Sequence, residues 1–419
     1  MKSHFDTEYN EVELGQVCRV GDGAHSKVER KESGIPYITS KNIEVGHLDT
    51  EDVDYISEED YRRIFPDNGT VRRPKPGDVL IGIIGSFGNA YRYTESDHFG
   101  ISSAVGVLRP DESKLDSDFL YYVVTSDTFR AVHESVKGGS VQGYTNTDTI
   151  QSLPLVLPPL PVQRRIADIL GALDDKIELN RRMNETLEEM ARALYRHWFV
   201  DFGPFQDQEF KDTEEMGPIP KGWEVGSLED IVQNVRGTAD PDDYPDSFPY
   251  IGLGEMPKGS IHLSEWQRAE EAGSKKRHFE AGQFLFGKLR PYFKKVGIAP
   301  VEGICSTDML VLEPASENTR SMALGQLIQD DFIDFTDQAS TGTSHPRISW
   351  KRMRGYDLAL PPAEVAEEFG RIVDPWLDQV TANIRENKTL AETRDYLLPK
   401  LISGEIEVEA TQEVVEAEM

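Results

Sequence analysis

Positions along two stretches of the chain, most of them apolar, step by four and three residues without interruption. Ile166, Leu170, Leu173, Ile177, Asn180, Asn184, Leu187, Ala191, Leu194 and Trp198 trace one line. Phe369, Val373, Trp376, Val380, Asn383, Asn387, Leu390, Arg394, Leu397 and Leu401 trace the other. Such spacing, sustained over more than four heptads, predicts a helix with an a/d seam. Both seams carry asparagine at matched places, Asn180 and Asn184 in one, Asn383 and Asn387 in the other. A seam asparagine costs stability and fixes register, because a slipped partner strands its amide. The helices are therefore expected to pair with each other through these residues and through Leu187 and Leu390. With a whole domain between them they can lie antiparallel; the alternative is that each packs on its own domain. Forty helical residues would span about 60 Å, enough to hold two domains a set distance apart. Asp374-Pro375 reads as an N-cap followed by a first-turn proline, which predicts a break or kink there.

The rhythm belongs to a larger repetition. Leu157-Pro158-Pro159 opens the first helical line and Leu360-Pro361-Pro362, 203 positions on, opens the second. Gly77-Asp78-Val79-Leu80-Ile81-Gly82 matches Gly282-Gln283-Phe284-Leu285-Phe286-Gly287, each a turn glycine followed by a short strand. Arg72-Arg73 precedes the first as Arg277-His278 precedes the second. Gly100-Ile101-Ser102-Ser103 resembles Gly303-Ile304-Cys305-Ser306. Internal repetition on this scale means two like modules with like connectors. The expected organisation is a globular unit over 1–155, a helical segment over 156–203, a second globular unit over 204–360 and a second helix over 361–404. A tail over 405–419, with six glutamates and no basic residue, is expected to be disordered. Short strands with Gly/Pro punctuation predict α+β units with twisted, mostly antiparallel sheet, joined to two long helices forming an antiparallel coiled coil.

Charge changes the picture. The formal net charge is -29 over 419 residues, and fewer than half of the 45 basic residues are lysine. Few lysines and many carboxylates suit a surface adapted to concentrated salt; the alternative is an acidic protein in an ordinary cell. Taken as a sum, the charge argues against nucleic acid, which normally leaves a basic footprint on its binder. Two stretches break the acidic rule. Arg62 to Lys75 holds five basic residues against Asp67, and Lys275 to Lys295 holds seven against Glu280, interleaved with Phe284, Phe286, Tyr292 and Phe293.

No apolar run is long enough to cross a membrane, and the acidic start lacks a secretory h-region. Cys18 and Cys305 have no Cys or His neighbours at metal-site spacing. The expectation is a cytoplasmic protein with no metal of its own. There is no GxxxxGK[ST] loop for ATP and no Asn/Asp-Pro-Pro-aromatic methyltransferase tetrad. Gly21-Asp22-Gly23 reads as a plain turn. His345-Pro346-Arg347 has no evident acid or nucleophile partner for hydrolysis.

The ordered set of motifs resembles the specificity subunits of type I restriction–modification systems. Leu157-Pro158-Pro159-Leu160-Pro161-Val162-Gln163-Arg164-Arg165-Ile166 and Leu194-Tyr195-Arg196-His197-Trp198-Phe199-Val200-Asp201-Phe202 are similar to the family's central region. Ile219-Pro220-Lys221-Gly222-Trp223 is similar to the start of its second recognition domain, and Leu397-Leu398-Pro399-Lys400-Leu401-Ile402-Ser403-Gly404-Glu405-Ile406 to its terminal motif. The resemblance implies that each globular unit reads one half of a split sequence in double-stranded DNA. The helices would set the spacer and dock methyltransferase subunits, two of them, and through these the restriction and translocation subunits. The chain would catalyse nothing and bind no cofactor; S-adenosylmethionine, ATP and Mg would belong to the partner subunits. Two other readings stand beside it: a coiled-coil adaptor that binds proteins without reading DNA, and an enzyme whose site is not legible.

Arg and Lys position a protein on phosphates; Arg, Asn and Gln on loops read base edges. Arg72, Arg73 and Lys75, with Arg277, Lys288, Arg290, Lys294 and Lys295, are the candidates for DNA contact from the two basic stretches. The loops from Lys137 to Tyr144, with Gln142 and Tyr144, and from Thr341 to His345, with His345, are candidates for direct or minor-groove contact; Arg347, just beyond the second loop, is a further candidate for DNA contact. Several phosphate contacts would make binding salt-dependent, so the isolated chain is expected to bind DNA weakly and the assembled complex specifically.

Overall fold

The computed structural model describes residues 9–84, 89–136 and 144–408. The chain divides into two compact units, Met1–Lys176 with Leu390–Met419, and Ile177–Thr389.

In the first unit a four-stranded antiparallel sheet runs in the order Cys18–Asp22, Val105–Pro110, Val79–Gly82, Ala90–Arg92. A second sheet orders Asp54–Ile56, Ile35–Ile38 and Gly100–Ile101, the last pair parallel. The strand Val79–Gly82, which lies between two neighbours in the sheet, is buried at every position. Ile38, Ile43, Ile56, Phe65, Leu80, Ile101 and Val105 fill the core against it. Asn10–Glu13 pairs with Pro154–Leu157, and Pro158-Pro159 then ends the strand and admits the first long helix, Leu160–Tyr195.

The second unit repeats the plan. Val232–Val235, Met309–Pro314, Phe284–Gly287 and Val296–Ile298 form the four-stranded sheet. Gln267–Arg268, Pro249–Ile251 and Gly303–Cys305 form the second, again with one parallel pair, and Arg277–Phe279 adds a strand with no counterpart among the described residues of the first unit. Glu224–Ser227 pairs with Asp357–Leu360, which leads through Pro361-Pro362 into the second long helix, Ala363–Ser403. The fold is α+β with two repeated globular parts and an antiparallel pair of long helices.

The helix pairing is visible inside each unit. In the second, Asn383 Nδ2 donates to Asn184 Oδ1 at 2.8 Å, and Asn180 Nδ2 to Asn387 Oδ1 at 2.9 Å. Numbers rise on one helix as they fall on the other, so the strands of the pair run antiparallel. Asn184 and Asn387 also donate to the carbonyls of Val380 and Ile177 across the seam. In the first unit Arg394, at a seam position, reaches Asp174 at 2.7 Å, and Tyr122 donates to the same carboxylate at 2.8 Å.

Three expectations need correction. The break at Asp374-Pro375 does not occur: helix runs unbroken from Ala363 to Ser403. The Asp374 carboxylate accepts from the Ser321 hydroxyl instead of capping a new helix, while Val373 and Leu377 are fixed in the core. Their packing outweighs the roughly 3 kcal/mol that an interior proline costs. Leu187 is only half-buried, and its neighbour Glu188 holds the buried place. A straight helix drifts from a 3.5-residue repeat, and Glu188 is compensated by Arg192, the Ser260 hydroxyl and the Ile261 N–H. Finally, the beginning of the tail is ordered: Glu405 pairs with Lys400 at 2.8 Å, and Ile406 N–H donates to the Lys400 carbonyl at 3.3 Å.

Several motif residues serve the frame. Gln163, fully buried, donates to the Lys114 and Pro158 carbonyls and accepts from Asp116 N–H, fastening the helix start to its globular part. Trp223 packs edge-on against Phe202 and Phe205 at 5.2 and 5.1 Å, and Phe199 against Phe369 at 4.8 Å. These aromatic contacts assemble core, which is why the motif is dense in rings.

Candidate nucleic-acid interface

In the second unit the chain leaves the buried strand Phe284–Gly287 and meets the loop that ends at Arg347. Lys288 N–H donates to the Asp308 carbonyl at 2.8 Å, and Ile348 N–H to the Lys288 carbonyl at 3.1 Å. Leu289 and Arg347 form an isolated bridge. Arg290 N–H donates to the Pro346 carbonyl at 2.8 Å, and its guanidinium reaches the Ser344 carbonyl at 3.4 Å. Arg290 and Lys294 both sit in the left-handed region, at φ 52° and 53°, on either side of the 3-10 turn Pro291–Phe293. Non-glycine residues hold that conformation only when their surroundings impose it.

This backbone brings side chains together that lie far apart in sequence. Arg347 makes a two-pronged contact with Asp308, Nε to Oδ1 at 3.1 Å and Nη2 to Oδ2 at 3.2 Å. Burial, and then the nearby Arg277 and Arg347, hold the Lys288 ammonium below the usual lysine range. Arg277 has its Nε buried with no hydrogen-bond partner among the described residues. His345 is exposed on the same loop as Arg347. Lys294 and Lys295 point elsewhere. Lys294 pairs with Asp330 at 2.7 Å, and Lys295 donates to the Leu253 carbonyl.

The first unit has the same frame with other occupants. Ile83 N–H donates to the Ala104 carbonyl at 3.0 Å, and Thr145 N–H to the Ile83 carbonyl at 2.9 Å, while Ile84 and Tyr144 form the bridge. Tyr144 thus stands where the second unit has Arg347, Ile84 where it has Leu289, and Ile83 where it has Lys288. Tyr144 is 54% exposed and Ile84 36%, both large apolar groups facing outward. Gln142 and the rest of that loop, 137–143, lie outside the described residues.

The basic stretch of the first unit is partly spoken for. Arg62 pairs with Glu58 at 2.9 Å and Arg63 with Asp60 on one short helix. Lys75 lies 3.7 Å from Asp67, and Arg73 lies over the Tyr61 ring at 5.8 Å. Arg72 is exposed and has no ion-pair partner among the described residues. What holds this stretch is Arg109. Its guanidinium grips Asp78 at 2.8 and 2.6 Å and donates to the carbonyls of Arg73 at 2.8 Å and Thr70 at 3.3 Å. The same Asp78 accepts from Lys75 N–H at 2.8 Å. In the second unit Gln283 and Glu313 take the two positions and meet at 3.2 Å. No guanidinium is present there to hold carbonyls, and the segment is instead the strand Arg277–Phe279.

The chain is similar to known proteins. The family model described as Type I restriction modification DNA specificity domain matches twice, over residues 6–189 and 220–392. The type I restriction enzyme MjaIX specificity subunit of Methanocaldococcus jannaschii is 25% identical over 98% of this chain and 99% of its own length. The HindI specificity subunit of Haemophilus influenzae is 24% identical over 79% of this chain and 87% of its own. Among solved structures, the S subunit of a type I restriction–modification system from M. genitalium superposes with a TM-score of 0.60 at 15% identity, over 96% of this chain and 98% of that one.

Proposed function

The chain belongs to the family of type I restriction–modification DNA specificity domains, and we propose on that basis that it supplies the address of a methylation and restriction complex. Each repeat reads one half of a split target in double-stranded DNA, and the long helices set the gap between the halves. One observation carries this reading. The same strand-and-loop frame occurs in both repeats, with Arg347 and Lys288 on one and Tyr144 and Ile83 at the matching places on the other. Two equal frames with unequal chemistry suit a protein that reads two different words.

The chain catalyses nothing itself. S-adenosylmethionine, ATP and Mg belong to the partner subunits, two methyltransferase subunits docked on the helices and restriction subunits held through them. Leu179, Met183 and Met190 support the docking: they are 56%, 38% and 44% exposed along the first long helix, outside its seam. Apolar side chains in such a row mark a surface that a partner covers. Among the described residues no helix is long and apolar enough to cross a membrane, and DNA as substrate places the complex in the cytoplasm.

Sequencing of methylated bases in cells that express this chain with its methyltransferase partner tests the proposal. A split motif with a constant gap is the expected product. Reversing Arg72 and Arg73 to glutamate should abolish specific methylation and leave assembly intact. Methylation that persists unchanged would favour an adaptor that binds proteins only.

A further inference from the structure

In the second repeat Lys288 lies near two further cations, Arg277 and Arg347, and near the carboxylate of Asp308, which Arg347 grips. Burial first, and then the like charges of Arg277 and Arg347, lower the proton affinity of Lys288. The crowding is relieved when an anion or a row of strong acceptors arrives.

Arg347 has the geometry of a reader. Its Nε and one Nη2 proton are committed to Asp308, which fixes the plane of the guanidinium. Three of its five N–H donors remain. The Arg347 side chain keeps 51% of its exposure, so the free edge faces outward. A fork fixed beforehand loses little entropy on binding, and two parallel donors match guanine O6 and N7 in the major groove. Lysine or a loosely held arginine would bind a phosphate as well; the brace adds value only if direction matters.

We propose that Arg347, positioned by Asp308, is the residue through which the second repeat demands a guanine, and that Tyr144 at the matching place gives the first repeat no such demand. The inference rests on the reading of the chain as a DNA specificity subunit and names one determinant within it. Tyr144 and Ile84 offer an exposed apolar surface, which can contact a thymine methyl but cannot pair with guanine.

The test uses the whole complex with its methyltransferase partner and reads the methylated motif by sequencing. In Arg347→Ala, one base pair in one half of the motif should relax, with guanine on one strand of the parental site and the other half unchanged. Discrimination at that pair should fall about 10- to 100-fold. Asp308→Ala, which keeps the guanidinium and frees it, should relax the same pair to a smaller degree; Asp308→Glu should restore part of the loss. Relaxation at a pair without guanine, or continued methylation of the unaltered motif by Arg347→Ala, overturns the proposal. If Arg347→Ala methylates nothing, competition binding decides. The variant complex should bind the parental duplex and one substituted at that guanine equally well, and retained discrimination overturns the proposal. Failure of the underlying reading looks different, because the parental complex itself would then leave no split motif.

Discussion

Replacing Arg109 by alanine should cost the first unit more than any surface charge could. Arg109 and Asp78 form a pair whose side chains are 15% and 2% exposed. Truncating one partner of a buried pair leaves the other charge without compensation, which typically costs about 3–5 kcal/mol. Asp78 keeps the Lys75 N–H as donor at 2.8 Å, which places the loss near the lower end, at about 3 kcal/mol. With a urea dependence of about 2 kcal/mol per molar, the midpoint should fall by about 1.5 M. The second repeat supplies the control. Converting Asp78→Gln together with Arg109→Glu copies the Gln283–Glu313 contact at 3.2 Å. That double variant should recover much of the loss, but the Thr70 and Arg73 carbonyls would still lack their donor, at about 1 kcal/mol each. All five tryptophans, Trp198, Trp223, Trp266, Trp350 and Trp376, belong to the second unit. The first unit is therefore best followed by hydrogen exchange, with the Lys75 amide as the local probe. A loss under about 1 kcal/mol in Arg109→Ala, with Lys75 protection unchanged, would refute the assignment of Arg109 as the clamp of the basic loop.

Asn184→Leu should destabilise the second unit by about 1–3 kcal/mol, because the buried Asn383 amide loses its acceptor at 2.8 Å; with Asn383→Leu added, most of the loss should vanish. Tryptophan fluorescence during urea unfolding reads both. Burial pushes the thiols of Cys18 and Cys305 up to about 12, so neither should react with a disulfide reagent at pH 8 until the chain unfolds; rapid native labelling would contradict their placement. His133 is buried, and burial lowers its imidazole to about 4. Between that value and about 6.5 the unfolded chain binds the extra proton. Stability from His133 is thus complete above pH 6.5 and falls by up to about 3 kcal/mol as pH drops to 4. His133→Gln should flatten that slope, and an unchanged slope would assign it to other groups.

Properties carried within one element were legible in the sequence. The 4-3 rhythm is local to each helix, and the α+β class follows from short strands between glycine turns; both are realised. Pro375 misled because local rules place a helix start there, whereas Ser321, distant in sequence, holds the Asp374 carboxylate. Glu188 was invisible for the same reason: its compensation comes from Ser260 and Ile261 on another part of the unit. Of the site, the residue types at 288, 290, 345 and 347 could be named, but not their meeting, which depends on hydrogen bonds across more than fifty residues. Arg109 and Asp308 were missed altogether. Neither lies in a basic stretch, and each acts by holding another residue in place.

An acidic chain that binds a polyanion must keep its cations from its own carboxylates. The two repeats solve this differently. In the second, Lys294 is neutralised by Asp330, whereas Lys288 lies near Arg277 and Arg347 with the Asp308 carboxylate beside them, so positive charge survives there. In the first, Arg62, Arg63 and Lys75 face acids, Arg72 stays exposed, and exposed Tyr144 stands where the second repeat has Arg347. Screening by salt weakens the long-range repulsion of DNA by the rest of the surface more than it weakens a contact made at hydrogen-bond distance. Raising salt should therefore reduce phosphate-driven affinity in both repeats while leaving the discrimination at Arg347 nearly unchanged. Competition between parental and substituted duplexes at rising salt separates the two quantities. Discrimination that collapses in step with affinity would mean that Arg347 holds a phosphate and reads no base.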